Sequence, residues 1–257
     1  MASIMWQPRI DKKQWQRLLA FAIALIVWQA ISMVINEQVF FASPIDVVRR
    51  LVEILYELPV LSIFLYSLSR VLVGFFSGLV LGCLLAVVAA RLSFVEVLLY
   101  PYMITIRSVP VASFVVLAIL WFSSAALSGF ISFLIVLPIV YNGVLAALHA
   151  TDKQLNEMAR VFCVPFWQRL RCIYTPQVRP ALLAAAATSM GLAWKSGVAA
   201  ELIGMPDGSI GMELYHAKLY LDTPALFAWT LIIVLGSLAC EKLVAALLRL
   251  LLGGYRK

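Results

Sequence analysis

Apolar residues are concentrated in unbroken runs, several of them long enough to cross a lipid bilayer. The runs follow neither a helical nor a strand periodicity, so lipid rather than a water-facing fold is expected to bury them. Of the 257 residues, 63% are hydrophobic and 13% are charged. Backbone polar groups in hydrocarbon must pair within their own segment, so these runs predict helices. The sequence therefore predicts an all-α polytopic membrane protein, since the short alternating segments of a transmembrane barrel are absent.

Six membrane spans are predicted. The first follows a basic N-terminal segment, and its length exceeds the core of a signal peptide, so it is predicted to remain uncleaved. The third is predicted to be broken at Pro101 and at the R-S-V-P stretch Arg107–Pro110. The spans are Leu18–Ile35, a segment within Leu61–Ala90, a segment within Val95–Phe122, Leu127–Leu148, a segment within Ala181–Met205, and Pro224 to about Leu248.

The positive charges beside these spans predict the orientation of the chain. With six spans, fourteen lysines and arginines fall on one side and three on the other. Such an excess marks the cytoplasmic side, so both termini and the loop 151–176 are predicted to be cytoplasmic. The net charge of +7 is explained by topology, and no nucleic-acid partner is expected. The three outer charges are Arg49, Arg50 and Lys218.

Two local patterns add detail outside the loops. Ser43 is predicted to cap a short amphipathic helix that begins at Pro44 and lies on the outer face. In the second span, Gly74, Gly78 and Gly82 recur every four residues. This small-residue face predicts close packing against another helix.

The loop 151–176 is the most polar interior stretch of the chain. Thr151 or Asp152 is predicted to cap a first helix, Cys163 to form a corner, and Pro165 to start a second helix that Pro176 ends. Aromatic residues around the corner with arginines at the rim are typical of a protein-docking surface. A basic loop resting on anionic lipid is the alternative from composition. The residues concerned are Phe162, Phe166, Trp167, Arg160, Arg169 and Arg171.

The same loop resembles the E-A-A-x3-G-x9-I-x-L-P signature of permease subunits of ABC importers. Glu157, Ala159, Ile173 and Pro176 occupy matching positions. In that family the loop is the coupling helix, which docks on a cytoplasmic ATPase subunit. The resemblance therefore implies an ATPase-coupling role for 151–176. The departures are Met158 for the second alanine, Cys163 for the glycine and Thr175 for the leucine.

Four further stretches resemble the group that imports taurine, alkanesulfonates, nitrate, bicarbonate or thiamine-pyrimidine precursors. The resemblance covers about Ser43 to Leu243. It implies one transmembrane permease domain over 1–257, with the first helix in 1–41, the core bundle in 42–250 and the coupling loop in 151–176. The stretches are A-S-P-I-D-V-V from Ala42, S-L-S-R-V-L-V-G-F from Ser67, R-S-V-P-V-A-S-F-V-V-L-A-I-L-W-F from Arg107, where Ser123 follows instead of the usual glycine, and L-A-W-K-S-G-V-A-A-E-L-I-G from Leu192.

The resemblance implies a type I importer in a bacterial inner membrane. Its expected components are two permease copies, preferably identical, two ATPase subunits and an external solute-binding protein, which the outer loop 206–223 could meet. The solute would be small and polar or anionic. ATP and magnesium would be bound by the ATPase, so this chain is expected to have no cofactor and no catalytic residue. The scattered cysteines and two distant histidines predict no metal site.

Charged residues inside the predicted spans need a reason, because charge in hydrocarbon is costly. One interpretation places six residues of the third and fifth spans along the translocation path. The alternative sends the charges to interfaces or backbone carbonyls and gives the large apolar side chains a packing role. Lys195 and Glu201 are not expected to pair unless the helix breaks at Gly197, and Arg70 is expected to be structural. The six path residues are Arg107, Ser189, Met190, Trp194, Lys195 and Glu201.

Two other functions agree less well with the sequence than an importer subunit does. A secondary transporter or channel would need an ion-coupling site, yet embedded carboxylates are nearly absent and no inverted repeat is evident. A membrane enzyme would need a cluster of His, Asp or Cys at the membrane face, which two distant histidines do not supply. The importer permease is therefore the predicted function.

Overall fold

The structure is a computed structural model that describes residues 12–35, 37 and 39–252, and within these ranges the side chains at positions 12–14, 17, 18, 153, 166, 251 and 252 lie outside that description. The described residues form helices and connecting turns, without a strand. The chain divides into two compact units, which are described separately: the described residues of 1–58 with 217–229, and those of 59–216 with 230–252. The helices are α1 (Lys12–Ile35), α2 (Pro44–Glu57), α3 (Val60–Arg91), α4 (Ser93–Ser108), α5 (Val111–Ala118), α6 (Ser124–His149), α7 (Lys153–Val161), α8 (Phe166–Arg169), a π-helical turn (Leu170–Tyr174), α9 (Thr175–Gly204), α10 (Ile210–Leu219) and α11 (Thr223–Leu252).

Each predicted span lies on a helix or a helix pair. By length and composition alone, α3, α6 and the Thr223–Leu250 part of α11 can cross a membrane, and α4 with α5 makes a fourth span if the bent pair counts as one. The apolar part of α1, Leu19–Ile35, is shorter. Helix α9 has 30 residues but carries Arg179, Lys195 and Glu201 within an otherwise apolar sequence.

The third span bends by 99° between α4 and α5. The predicted break at Pro110 is confirmed, because Val109 has an extended backbone and α5 starts after the proline. The predicted break at Pro101 is wrong, since α4 continues through it. Pro101 stands nine positions into the helix, where one lost hydrogen bond is tolerated in a membrane helix because neighbouring groups satisfy the freed carbonyl. The carbonyl that loses its donor at Pro101 is that of Val97, one turn earlier.

The core of the larger unit is the packing of α3 on α6 and of α6 on α9. The predicted glycine face is confirmed: a Cβ at Gly74 would overlap the carbonyl oxygen of Gly129, and one at Gly78 would lie 2.9 Å from Cβ of Val136. The two backbones approach so closely only because the side chains are missing. A cluster of Val115, Ala118, Leu127, Ile131 and Ala200 then joins α5 to α6 and α9.

The smaller unit is held by α2 and the segment before α11. The predicted cap is confirmed, because the hydroxyl of Ser43 accepts from the backbone N–H of Asp46 at 3.1 Å. Arg50 binds Glu53 and Asp222, each at 3.0 Å. The indole of Trp28 donates to the carbonyl of Ala42 at 3.1 Å. These contacts position α2 within its own unit.

Candidate functional site

The loop 151–176 begins with a capped helix. The carboxylate of Asp152 accepts from the backbone N–H of Gln154 at 2.8 Å, so Asp152 is the cap that the sequence left open between it and Thr151. Helix α7 buries Ala159 and exposes Glu157 and Arg160. The alanine of the signature therefore faces the protein, and its glutamate faces outward.

The corner after α7 is a left-handed turn centred on Cys163, whose φ is +52°. The N–H of Val164 donates to the carbonyl of Ala159 at 2.9 Å, and the N–H of Cys163 donates to the carbonyl of Arg160 at 3.1 Å. This pair of hydrogen bonds is the Schellman motif, whose left-handed position is usually glycine. The cysteine therefore keeps the backbone conformation for which the signature uses glycine, and bears the steric cost of its Cβ.

After the corner, the chain is helical without interruption from α8 to the end of α9. The carbonyl of Pro165 accepts from the N–H groups of Gln168 and Arg169, which starts α8. A π-helical turn follows, in which the carbonyl of Leu170 accepts from the backbone N–H of Thr175 and from its hydroxyl. The prediction that Pro176 ends the second helix is wrong. Pro176 lies in the first turn of α9, and the wider π turn before it relieves the clash that its ring would otherwise cause.

Apolar side chains cover the outer surface of the corner. Phe162 is 73% exposed and Trp167 is 75% exposed, and Met158 and Val161 beside them are also exposed. The exposed face thus joins the end of α7 to the start of α8, with Arg171 exposed nearby in sequence. Apolar patches of this kind mark interaction surfaces.

A polar cavity of about 270 Å³ lies under the same loop. Its wall includes Glu157, Arg160 and Arg169, together with Asn156 and Tyr174. Nε of Arg169 is buried and has no hydrogen-bond partner among the residues that the structure describes. The loop therefore combines an exposed apolar face with a polar cavity, whose wall has one acidic side chain, Glu157, and two basic ones, Arg160 and Arg169.

A second cavity, of about 470 Å³, lies at the bend of the third span. Arg107 and Val109 border it on α4, Val111 on α5, and Pro138 on α6. The α9 side of the wall carries two hydroxyl side chains, Thr188 and Ser196, and Leu192. Of the predicted path residues, only Arg107 is among the residues that line this cavity.

The other predicted path residues occupy different surroundings. Ser189, Met190 and Trp194 are buried within the chain, and the indole of Trp194 donates to the carbonyl of Ile233 at 2.9 Å. The ring of Trp194 also packs against Phe64, with centroids 5.2 Å apart. Lys195 is exposed. Their assignment to a translocation path stays a prediction.

Glu201 is fully buried near the end of α9. Its Oε2 accepts from the hydroxyl of Ser67 at 2.7 Å and, more weakly, from the N–H of Gly211 at 3.5 Å. The same Ser67 oxygen accepts from the N–H of Ile210 at 3.1 Å. Lys195 takes no part in this network, which agrees with the expectation that the two charges do not pair. Glu201 thus joins α9 to α3 and to the first turn of α10.

Several of these residues were missed from sequence. Thr188 and Ser196 give no signal, since isolated hydroxyls in an apolar helix usually bond their own backbone. Nε2 of His149, at the end of α6, lies 3.5 Å from a carboxylate oxygen of Glu96 on α4. Arg70 lies with its guanidinium 3.8 Å from the ring centroid of Tyr66, a cation–π contact. Tyr66 and Arg70 are four residues apart on α3, a spacing visible in the sequence, whereas spacing cannot reveal the pair of His149 and Glu96, which joins α6 to α4.

Comparison with known proteins identifies relatives over nearly the whole chain. Residues 78–256 match the family described as binding-protein-dependent transport system inner membrane component. The putative aliphatic sulfonates transport permease protein SsuC of Bacillus subtilis is 27% identical over 96% of this chain and 90% of its own length. The formylaminopyrimidine transport permease protein ThiX of Halalkalibacterium halodurans is 24% identical over 92% and 97%. The nitrate import permease protein NrtB of Synechococcus elongatus is 28% identical over 76% and 73%.

Proposed function

The chain belongs to the family of binding-protein-dependent transport system inner membrane components, and from that premise we propose that it is the permease subunit of an ATP-driven importer. In this role it forms the translocation path for a small polar or anionic solute. A separate subunit binds ATP and magnesium and hydrolyses the ATP. The all-α architecture supports this role. The family to which the chain belongs is also described as an inner membrane component of transport systems.

The observation that carries the proposal is the exposed apolar corner of the loop 151–176. Phe162 and Trp167 are each about three-quarters exposed, although the backbone beneath them is fixed by the Schellman hydrogen bonds. Large aromatic side chains on a rigid backbone lose little entropy on binding and are typical anchors of protein interfaces. We assign this surface to the ATPase subunit, with Glu157, Arg160, Arg169 and Arg171 at the polar rim.

The loop is mechanically continuous with the membrane helices. Helix α7 follows α6 after the turn at Ala150–Asp152, and α8 passes through the π turn into α9. Closure of the ATPase on the loop would therefore move α6 and α9, which pack on each other. Rigid-body movement of such helices is a common route to alternating access. Energy from ATP reaches the path by this connection.

The names of the relatives support the proposed class of solute. Their names refer to aliphatic sulfonates, formylaminopyrimidine and nitrate, which are small polar or anionic molecules. We propose the same class for this chain, delivered by an external solute-binding protein. Two copies of the chain would pair around the path, with both termini and the loop 151–176 in the cytoplasm.

Retention of the ATPase subunit tests the proposal. The tagged chain and its Phe162→Ala/Trp167→Ala variant are purified in mild detergent from the native host, and the bound subunits are quantified by mass spectrometry. Each aromatic anchor of an interface contributes about 2 kcal/mol or more. The double variant is therefore expected to retain at least tenfold less ATPase subunit than the unaltered chain.

Trp121→Ala is the matched control, because Trp121 is exposed to the same extent as Trp167 but lies after α5, outside the loop. This variant should retain the ATPase subunit fully. Equal retention by the double variant and the control would refute docking at the corner. A chain that moves solute in liposomes without any ATPase would instead make it an ATP-independent transporter or channel.

A further inference from the structure

The cavity at the bend of the third span has the size of a small-molecule site. Its volume is about 470 Å³, within the range of roughly 300–1,000 Å³ that ligand pockets occupy. Its wall is formed by the bent pair of α4 and α5, by α6 and by α9. It therefore lies on the helices that the proposed coupling would move.

The charge of this cavity comes from one side chain. Arg107 borders it, and no aspartate or glutamate is among its lining residues. Within the described part of the chain, Arg107 makes no ion pair. Arg107 is exposed, so an anion that enters the cavity can reach its guanidinium. Guanidinium groups bind carboxylates and sulfonates through two parallel hydrogen bonds.

The bend adds a second source of positive potential. Helix α5 begins at Val111, which borders the cavity, and the first N–H that bonds within the helix is that of Ser113. The N–H groups of Val111 and Ala112 therefore lack helical acceptors, and the positive end of the helix dipole lies at the wall. The opposing end of α4 is partly neutralised, because Val109 N–H donates to Thr105 and the Ser108 hydroxyl donates to Ile104. Broken helices in transporters hold anionic groups in this way.

The rest of the wall is suited to hydrocarbon. Hydroxyl groups of Thr188 and Ser196 are its neutral polar side chains, and the other lining residues are aliphatic or proline, such as Ile106, Leu134 and Leu192. A bare inorganic anion would leave most of this surface uncovered. An organic anion with a short carbon chain would cover it and place its charged end at Arg107.

We propose that this cavity is a binding subsite for a small organic oxyanion, with its sulfonate or carboxylate on Arg107 and its carbon chain on the aliphatic wall. Thr188 and Ser196 donate to the remaining oxygens. This inference rests on the proposed function, and it goes further by assigning solute selection to the permease itself. The charge selects anions, and the apolar wall selects carbon-bearing ones.

Calorimetry with two isosteric probes tests the subsite. The permease is purified with its ATPase subunit, placed in nanodiscs without nucleotide, and titrated with ethanesulfonate and with the neutral ethyl methyl sulfone. Ethanesulfonate should bind at least tenfold more tightly than the sulfone, because a charge-assisted pair is worth more than a neutral hydrogen bond. Arg107→Gln should abolish this preference, and Arg107→Lys should keep part of it.

Two further variants separate a local effect from a global one. Arg49→Gln removes one positive charge from the exposed surface of α2 and should leave both affinities unchanged. Thr188→Val keeps the shape of the side chain and should weaken ethanesulfonate binding severalfold. Equal affinity for the two probes, no effect of Arg107→Gln, or no ethanesulfonate binding at all would overturn the subsite.

The test also distinguishes this inference from the proposed function. A preparation that retains the ATPase subunit and hydrolyses ATP, yet shows no preference for ethanesulfonate, contradicts the subsite and leaves the importer role in place. A preparation without an ATPase subunit contradicts the importer role directly.

Discussion

The hydroxyl of Ser67 on α3 lies 2.7 Å from the carboxylate Oε2 of Glu201 on α9, and both side chains are fully buried. The serine also accepts from the N–H of Ile210 at 3.1 Å, so one hydroxyl connects two helices and the first turn of a third. Burial of a carboxyl group is costly unless hydrogen bonds replace its hydration, and here Oε2 has such bonds while Oε1 has no partner among the described residues. Glu201 is therefore a structural element that fixes the C-terminal end of α9.

Removing the Ser67 hydroxyl should destabilise the protein. Ser67→Ala deprives the buried Glu201 side chain of its shortest hydrogen bond, and leaving a buried polar atom without its partner costs about 1–3 kcal/mol. Thermal unfolding in detergent measures the effect. Ser69→Ala, two residues along the same helix, removes an exposed hydroxyl that bonds only the carbonyl of Tyr66 and should leave the midpoint unchanged. Indistinguishable midpoints for the two variants would show that Glu201 does not depend on Ser67.

The close approach of α3 and α6 predicts a strong effect at Gly74. A Cβ there would overlap the backbone of Gly129, so Gly74→Val must separate the two helices. Overpacking of this kind typically costs about 1–3 kcal/mol, and more where backbone must move. Val73→Leu also enlarges a side chain, but at an exposed neighbouring position. Unfolding midpoints should fall for Gly74→Val alone, and a stable Gly74→Val protein would contradict the packing of α3 on α6.

The left-handed corner predicts that Cys163 is not the best residue for its own position. Cys163→Gly removes the Cβ from a residue at φ +52° and should stabilise the corner by about 1 kcal/mol. Cys163→Val adds β-branching and should destabilise it. The rate of trypsin cleavage after the exposed Arg160 reports local opening and should follow the order glycine, cysteine, valine from slowest to fastest. The reverse order would mean that the corner is not left-handed in solution.

The elements of the bundle could be predicted from sequence because each depends on a local rule. The apolar runs, the Ser43 cap and the spacing of Gly74, Gly78 and Gly82 were all correct for this reason. The two proline predictions failed because Pro101 lies inside a helix that continues past it and Pro176 lies in the first turn of α9, where a proline is tolerated. Whether a proline breaks such a helix depends on neighbours that a local rule ignores.

The candidate sites were predicted unevenly. The loop 151–176 was located because its polarity contrasts with its surroundings, and its corner keeps a left-handed turn even where the signature glycine is replaced by Cys163. The cavity beside Arg107 was not predicted, because its wall is formed by helices that are distant from one another in sequence. Trp194 illustrates the same limit, because the sequence left a path and a packing role open and could not reveal the hydrogen bond from its indole to the carbonyl of Ile233.

The most direct test of the central claim is photocrosslinking from position 167. A photoreactive phenylalanine analogue replaces Trp167 in the tagged chain, and position 121 serves as the control because Trp121 is equally exposed outside the loop. The covalent products formed in native membranes are then identified by mass spectrometry. The account predicts a crosslink from position 167 to an ATPase subunit and none from position 121. Crosslinks from position 167 to lipid alone would contradict it and leave the loop 151–176 as a basic surface resting on the membrane.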